Sequence, residues 1–256
     1  MTEITKRMEF ATALATEAGI LAQQMRDAAG AGFVASKGAQ DFVTEADRAV
    51  ERLIRERVAA AFPEDSFLGE EEGGADDLGP DCWVVDPIDG TANYMRGMSG
   101  WGVSIGYSRG DDIELGVISL PDLSMLITAQ RGRGAFLNGA PITVSRNDTA
   151  DSAVLSLGRS GREPLQPHLD NIRDLIEAGM EYRREGAAVM GLIGVAAGWT
   201  EGYYEAHLNA WDAFAGIAII KEAGGRVDHA PVREFLQNGS RILATNDHID
   251  ALLPRL

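Results

Sequence analysis

The sequence predicts a mixed α/β (α+β) fold, with two sheet-containing subdomains layered with helices. Helical periodicity dominates the start of the chain, short strands dominate residues 82–145, and strands alternate with helices in the remainder. The polar stretch Ser145–Ser152 is the best internal boundary. We therefore expect one subdomain over residues 1–147 and a second over residues 148–256, with a functional site in the groove between them.

Two amphipathic helices are expected at the start of the chain. The first spans residues 3–29 and ends at Gly30. The second spans residues 45–61, follows the candidate N-cap Thr44 and ends before Pro63. Their apolar residues recur at helical spacing; they are Phe10, Leu14, Leu21 and Met25 in the first helix and Val50, Leu53, Ile54 and Val58 in the second.

The middle of the chain reads as a series of strands. Cys82–Val85 is a short apolar run typical of a buried strand. Three β-rich runs follow, at Val103–Tyr107, Ile113–Leu120 and Leu123–Ala129. Asn138-Gly139 then predicts a tight hairpin, because both residues tolerate a positive φ.

Strands and helices alternate after the boundary, as expected of an α/β arrangement. The predicted strands are Ala153–Leu157, Gly202–Ala206 and Arg241–Ala244. The predicted helices are Leu165–Ala178, Ala187–Ala197, Trp211–Ala223 and Asp247–Leu253.

Composition limits the possible functions. The chain has 256 residues, 45% of them hydrophobic, which is enough for a substantial core. No apolar run approaches the ~20 residues that span a bilayer, and no signal-peptide pattern is recognised. The single cysteine, Cys82, excludes an internal disulfide and is expected to pack as an apolar side chain. We therefore expect a cytoplasmic protein.

The net charge of −16 disfavours nucleic acids and anionic membranes as partners. Arg183-Arg184 and the Arg131/Arg133 pair are too sparse to form a basic patch. The same charge would repel a phosphorylated substrate. Bound cations would have to reverse the local potential at such a site.

The most informative segment is Trp83–Asn93. It delivers two carboxylates, Asp86 and Asp89, into a turn that Pro87 and Gly90 favour. A buried strand that ends in two anions needs cations nearby. Gly90 lets the backbone approach a ligand, and a short helix starting there would present free N–H groups to a phosphate. With the hydroxyl of Thr91, this set suits hard metal ions beside a phosphate.

Four blocks of sequence resemble the inositol monophosphatase family over nearly the whole chain. They are Asp41-Phe-Val-Thr44-Glu-Ala-Asp47, Gly69-Glu70-Glu71, Asp86-Pro-Ile-Asp89-Gly-Thr91, and Trp211-Asp212-Ala-Phe-Ala-Gly with Glu222-Ala-Gly224-Gly225. The resemblance implies a layered α/β/α/β/α sandwich. It also implies a homodimer and inhibition by lithium.

The resemblance implies a role for each matching residue. The implied metal ligands, for two or three Mg²⁺ ions, are Glu70, Asp86, the Ile88 carbonyl, Asp89 and Asp212. Thr91, oriented by Asp47, would position the attacking water, which Glu70 would share with a metal. The candidate substrate-binding residues are Gly90, Thr91, Glu205 and Ala188. Lys37 lies near the position of a family lysine close to the metals.

Each of these residues also has a purely structural interpretation. Asp86 and Asp89 could mark a solvated turn, and Thr91 a plain helix cap. Asp47 could complete a capping box, and Asp212 could stabilise a helix dipole. The acidic run Glu70–Glu72 is typical of solvated surface.

The identity of the substrate stays open at this stage. Inositol monophosphate is the default that the resemblance implies; histidinol phosphate, adenosine bisphosphate and sugar bisphosphates are alternatives on the same site. Gly191 stands where many relatives have Asp or Asn, and the loop 157–161 resembles the family's substrate loop only loosely. The histidines at 168, 207, 229 and 248 have no metal-ligand spacing. A regulatory partner-binding protein on the same scaffold is the alternative from another functional class, since some relatives act in RNA metabolism.

Overall fold

The computed structural model describes residues 2–29, 34–38, 41–74 and 78–253, with the backbone alone at residues 29, 34–38 and 41–44. The helices are α1 (Glu3–Ala29), α2 (Glu45–Ala61), α3 (Thr91–Met95), α4 (Leu165–Glu177), α5 (Ala188–Ala196), α6 (Ala210–Glu222) and α7 (Val232–Asn238). The first strands are β1 (Val34–Gly38), β2 (Asp41–Thr44), β3 (Ser66–Gly69), β4 (Asp81–Asp89), β5 (Gly102–Arg109), β6 (Asp112–Leu120), β7 (Met125–Gln130), β8 (Ala135–Leu137) and β9 (Ala140–Ile142). The remaining strands are β10 (Val154–Leu157), β11 (Glu181–Arg183), β12 (Gly202–Leu208), β13 (Arg226–Asp228) and β14 (Ser240–Thr245).

A seven-stranded sheet in the order β3-β4-β5-β6-β7-β8-β9 organises the first half of the chain. β3 and β4 are parallel, and each later pair is antiparallel. Both faces of β4 are buried, so successive side chains enter different cores. Trp83 and Val85 pack on the face covered by α1 and α2, whereas Cys82 and Val84 pack on the opposite face. Burial on both faces explains the uninterrupted apolar run of this strand.

Helices α5 and α6 cover the opposite face of this sheet. Two glycines permit α6 to lie directly on β5 and β6. A Cβ atom at Gly106 would lie 2.8 Å from the Phe214 Cβ, and one at Gly116 would lie 2.2 Å from the Ala215 carbonyl oxygen. This close approach fixes the start of α6, and with it Asp212, relative to the end of β4.

A five-stranded mixed sheet, in the order β11-β10-β12-β14-β13, forms the next layer. Helix α4 covers its outer face, where Leu175 packs with Leu155 and Leu157. Helix, sheet, helix, sheet and helix therefore succeed one another, which confirms the predicted layered sandwich. The first large sheet ends at Ile142 and the second begins at Val154; the division into subdomains at 147/148 remains a prediction. None of the helices in the described ranges is long and apolar enough to cross a membrane.

Two details of the prediction are wrong. β4 continues through Asp86 to Asp89 instead of ending at Val85 before a turn. The C-terminal helix predicted at Asp247–Leu253 is only a 3₁₀ turn at Asp250–Leu252, because Asp247 has a φ of 69°, which a right-handed helix does not accommodate. The predicted end of α1 at Gly30 and the capping side chain of Thr44 fall outside the described residues.

Short elements were not predicted from the sequence. They are the β1–β2 hairpin, β11, β13 and α7. The strands among them have three to five residues, and α7 has seven. Elements this short contain too few residues to establish a hydrophobic period.

Candidate functional site

The two acids of β4 lie at an irregularity in the pairing of β4 with β5. Asp86 pairs with Ser104, the register then shifts, and Asp89 pairs with Gly102. Pro87 lies within this shift, where a missing N–H group is tolerated. The Ile88 N–H donates to Asp86 Oδ1 at 2.9 Å, which fixes that carboxylate. A bulged strand end therefore presents the two carboxylates, and no separate turn is needed.

Thr91 begins the short helix α3 directly after Gly90. Gly90 has a φ of 86°, and a Cβ there would lie 2.8 Å from the Ala187 Cβ, so glycine is required. The Thr91 hydroxyl lies 3.3 Å from Asp47 Oδ1 and 3.1 Å from the Ile88 carbonyl oxygen. Asp47 belongs to α2 and is buried. The structure thus brings together the Thr91/Asp47 pair expected from the sequence.

Asp89 is bound by the first turn of α5. Its Oδ2 accepts the N–H of Val189 at 2.5 Å, and the N–H groups of Ala188 and Gly90 also act on this carboxylate. The expected substrate contacts Gly90 and Ala188 therefore form the wall around Asp89. Because these donors are uncharged backbone N–H groups, they do not neutralise the charge of the Asp89 carboxylate.

Asp212 approaches from the other side of the site, in the first turn of α6. Its Oδ2 accepts the Asn209 N–H at 2.7 Å, and the Asn209 side chain caps the helix in return. The Ser104 hydroxyl of β5 also donates to the Trp211 carbonyl oxygen at 3.2 Å. Asp212 therefore has the structural role expected of a helix N-terminus and also lies at the pocket.

Glu70 follows β3 in a turn that a buried acid of α2 holds in place. The Glu51 side chain is fully buried and accepts the N–H groups of Glu71 and Glu72 at 2.7 and 2.9 Å. Arg55 donates to it at 3.0 Å. A Cβ at Gly69 would lie 2.4 Å from the Glu51 carboxyl carbon, so this contact requires glycine.

The carboxylates of the site act on one another electrostatically. Burial, followed by the charges of Glu70, Asp89, Asp212 and Asp47, raises the pKa of Asp86 well above its ordinary value. Burial and the charge of Asp89 likewise raise the pKa of Asp212. Burial raises the pKa of Asp89, although its backbone N–H donors oppose the rise. A group of buried anions that repel one another is stabilised by an external cation.

The donor set fits a hard divalent cation. Carboxylate and carbonyl oxygens suit Mg²⁺ or Mn²⁺ better than Zn²⁺. Among the described residues, no group of three or more Asp, Glu, His or Cys side chains is arranged so that it could hold one metal ion. Asp86, Asp89 and Asp212 are each engaged by a backbone N–H. Mg²⁺ usually keeps several waters beside one or two carboxylates, so a complete protein cage is not required.

A pocket of about 690 Å³ opens beside Asp89 and Asp212. Glu205 lines it and accepts a hydrogen bond from the Tyr203 hydroxyl at 2.5 Å. Burial raises the pKa of Glu205 to about 7, against the opposing effect of that hydrogen bond. The Tyr203 ring lies where a side chain at Gly191 would stand, since a Cβ there would be 2.3 Å from the ring. Tyr203 therefore occupies the volume left by the missing side chain at position 191.

Sequence reasoning missed the basic residues of this pocket. Arg159, Arg162 and Arg184 line it, together with His207. Arg159 and Arg162 lie in the loop after β10 and Arg184 lies after β11, so no single run of basic residues could reveal the cluster. Glu51 was also missed, because a single acid on a helix is typical of solvated surface. The side chain of Lys37 lies outside the described part of the structure.

Comparison with known proteins places this arrangement in a family. The chain is 38% identical over 222 residues to an inositol-1-monophosphatase of Rhizobium meliloti, covering 84% of this chain and 82% of that one. It is 30% identical over 253 residues to the Nus factor SuhB of Escherichia coli K12, covering 97% and 95%.

Solved structures give the same result. The extragenic suppressor protein suhB of Bartonella henselae matches with a TM-score of 0.86 at 33% identity, covering 95% of each chain. An IMPase of Thermotoga maritima matches with a TM-score of 0.86 at 29% identity, covering 97% of this chain and 95% of that one. The family model matches residues 3–255. The resemblance and the prediction of a phosphoric monoester hydrolase are thereby confirmed, and the chain belongs to the inositol monophosphatase family.

Proposed function

We propose that this protein hydrolyses a small phosphate monoester in an Mg²⁺-dependent reaction, with inositol monophosphate as the default substrate. The observation that carries the proposal is the Thr91/Asp47 pair beside mutually repelling carboxylates. A purely structural metal site would not need a hydroxyl held by a buried acid. We also predict that the protein is cytoplasmic and forms a homodimer.

Glu70, Asp86, Asp89, Asp212 and the Ile88 carbonyl would hold the metal ions. Bound there, Mg²⁺ supplies charge neutralisation and makes water more acidic. The protein's own groups then provide orientation. Asp47 accepts a hydrogen bond from the Thr91 hydroxyl, which leaves the Thr91 oxygen lone pairs to accept a hydrogen bond from the attacking water. The Ala188–Val189 backbone fixes Asp89 in the pocket wall.

The pocket beyond Asp89 binds the alcohol part of the substrate. Glu205, oriented by Tyr203, accepts a hydrogen bond from a substrate hydroxyl. Gly158 permits this arrangement, because a Cβ there would lie 1.8 Å from Glu205 Oε2. Histidinol phosphate or a nucleotide (bis)phosphate would use the same metal ligands. The residues of the pocket wall away from those ligands would therefore determine which of these substrates binds.

The test is release of phosphate by the purified protein, with and without Mg²⁺, from a panel of these monoesters. Thr91→Val should lower kcat by on the order of 10²-fold, as expected for loss of one positioning group. Thr91→Ser keeps the hydroxyl and serves as the matched control, with most of the activity retained. Equal rates for the valine and serine variants would contradict the assigned role of Thr91.

A regulatory partner-binding role is the second candidate, because several relatives carry the name Nus factor SuhB. The Thr91/Asp47 geometry favours catalysis, with or without a partner. Absence of Mg²⁺-dependent phosphate release from every monoester in the panel, combined with a co-purifying partner, would favour the regulatory role.

A further inference from the structure

Asn93 is a buried asparagine of α3 to which the proposed mechanism gives no role. Its side-chain amide donates to the Gly100 carbonyl oxygen at 2.6 Å and to the Glu185 carbonyl oxygen at 3.0 Å. An amide group has two N–H donors, so each of these carbonyls can accept one of them. The bond to Glu185 is the more informative, because it joins α3 to a segment 92 positions further along the chain.

Glu185 belongs to a segment that forms part of the pocket. Residues 184–187 connect β11 to α5 and line the pocket, and we name them the connecting wall. At the end of this wall α5 begins, and Val189 donates its N–H to Asp89 Oδ2 at 2.5 Å. Within the described ranges, residues 185–189 share no hydrogen bond with the first half of the chain apart from those to Asp89 and Asn93.

The two attachments lie at opposite ends of this stretch. Asn93 binds Glu185 at one end, and Asp89 binds Val189 at the other. Two separate attachments fix the direction of a segment as well as its position, whereas a single attachment would leave the segment free to pivot. Since Asn93 lies on the same short helix as Thr91, the connecting wall is fixed relative to the hydroxyl of the catalytic pair.

Asn93 also packs closely against the middle of the connecting wall. A Cβ at Gly186 would lie 3.2 Å from Asn93 Oδ1 and 3.3 Å from Asn93 Nδ2. Gly186 has a φ of 79°, a conformation in which a side chain is strained. Gly186→Ala would therefore disturb the same contact from the wall side, at an exposed position outside the core.

The position of α3 does not depend on the Asn93 amide. The Thr91 hydroxyl lies 3.3 Å from Asp47 Oδ1. The Tyr94 hydroxyl, in the same helix, donates to the Ala22 carbonyl oxygen at 2.7 Å. Loss of the Asn93 amide should therefore release the connecting wall and leave the Thr91/Asp47 pair in place.

We propose that Asn93 is a positioning residue for substrate recognition, whose amide holds the connecting wall in the orientation that accepts the alcohol part of the substrate. This inference rests on the proposed function, in which the pocket binds that alcohol. Asp89 fixes the end of the wall beside the phosphate, and Asn93 fixes the end beside the alcohol. Asn93 acts through the wall and takes no part in the chemical step.

The first experiment measures the kinetics of Asn93→Ala with Mg²⁺ and the preferred monoester. KM should rise about tenfold while kcat falls less than about threefold, because alignment of the alcohol is lost and the catalytic groups are kept. Inorganic phosphate has no alcohol part. Its inhibition constant, measured by release of the alcohol, should therefore change by less than about twofold.

The second experiment measures attachment of the connecting wall without turnover. Arg183 and Arg184 are exposed, so trypsin has cleavage sites at the start of the wall. Cleavage of a folded chain requires local opening of the segment that is cut. Asn93→Ala should raise the rate of cleavage after Arg184 about tenfold, as expected for loss of one buried hydrogen bond, with fragments identified by mass spectrometry.

Asn246→Ala is the matched control. Asn246 is also buried, and its amide donates to the distant Asn147 carbonyl oxygen at 2.8 Å. Its side chain also accepts two backbone N–H groups, and Asn246 is not among the residues that line the pocket. The control should lower the melting temperature at least as much as Asn93→Ala. It should leave KM and cleavage after Arg184 unchanged.

Gly186→Ala tests the contact between Asn93 and the connecting wall directly. In the wild-type background it should raise KM for the preferred monoester, because the new methyl group displaces the Asn93 side chain. In the Asn93→Ala background it should raise KM less, since the clashing side chain is gone. Equal effects in the two backgrounds would show that the two residues act independently and would overturn the proposal.

The remaining outcomes separate the two hypotheses. An unchanged KM in Asn93→Ala, or equal rises in KM and in the phosphate inhibition constant, would overturn the positioning role while the proposed function stands. An unchanged rate of tryptic cleavage, or the same changes in Asn246→Ala, would also overturn it. Absence of phosphate release from every monoester by the wild-type protein would reject the proposed function and this inference together.

Discussion

Asp122 and Asp86 are both largely removed from water, yet their surroundings differ completely. Asp122 accepts hydrogen bonds from Arg26, Gln23 and the Trp101 indole, at 2.6, 2.9 and 2.7 Å. Burial alone would raise its pKa, but these donors lower the pKa to about 2. Asp86 has one backbone donor and four acidic neighbours, and its pKa is raised.

The comparison distinguishes an acid that stabilises the fold, Asp122, from an acid that is expected to bind a ligand, Asp86. A structural acid is buried with its own cation, because an unpaired buried charge costs several kcal/mol. The acids at the end of β4 have no such cation among the described groups around them. Their burial therefore lowers the free energy of unfolding, and a bound metal ion would remove this penalty. The following predictions test this difference, starting from the largest effect.

Asp89→Asn should reduce kcat by on the order of 10³-fold, the scale for loss of one electrostatic group in a catalytic site. The asparagine oxygen can still accept the Val189 N–H, so the fold should persist. The metal-free variant should melt at the wild-type temperature or above it, because one repelling charge is gone. Thermal melts with and without Mg²⁺ check this, and a near-wild-type rate with Mg²⁺ would refute the ligand assignment.

Asp122→Asn should lower the stability of the fold without changing catalysis. Removing one partner of a largely buried pair should lower the free energy of unfolding by about 3 kcal/mol, with kcat unchanged below the melting range. Urea denaturation at pH 7 measures the loss. Asp111→Asn is the control, since its carboxylate is 83% exposed and should change stability by less than about 0.5 kcal/mol. A loss below about 1 kcal/mol for Asp122→Asn would show that Asp122 is not structurally important.

The pH dependence of stability should follow from Asp122. Its pKa is lowered from 3.8 to about 2 on folding, so the unfolded chain binds the proton more tightly. The stabilisation is therefore present above pH 3.8 and is lost as the pH falls towards 2. The difference in unfolding free energy between wild type and Asp122→Asn should shrink by about 2 kcal/mol over that window. A difference that stays constant from pH 6 to pH 2.5 would contradict this.

Glu51→Gln should produce a smaller effect, transmitted through the Glu70 turn. The amide can accept at only one atom, so one of the two N–H bonds from Glu71 and Glu72 is lost. We expect the Mg²⁺ concentration for half-maximal rate to rise about tenfold, as for other groups that orient metal ligands. Glu56→Gln, exposed on the same helix, is the control. A drop in stability with an unchanged Mg²⁺ requirement would assign Glu51 a structural role alone.

The sequence predicted the features that depend on local pattern. α1 and α2 match their predicted bounds, and the Asn138-Gly139 hairpin forms with φ of 49° and 80°. The pattern of β4 was also recognised, because burial on both faces leaves a continuous apolar run. The bulge that presents the Asp86 and Asp89 carboxylates was not predicted.

The features that were missed depend on tertiary contacts. Glu51 looks like any helix acid until the turn of Glu71 and Glu72 closes over it. The pocket arginines come from a loop and from the segment after β11, and only folding brings them together. No single-sequence period records contacts of this kind.

Cys82, the only thiol in the chain, lies in the core of the sheet that carries the site. Burial raises its pKa to about 12, so in the native protein it is both shielded and protonated. A thiol reagent would therefore label the chain only when β4 leaves the sheet. The labelling rate of Cys82 therefore measures global opening of the fold. Compared with and without Mg²⁺, this rate would detect cation binding without any assay of turnover.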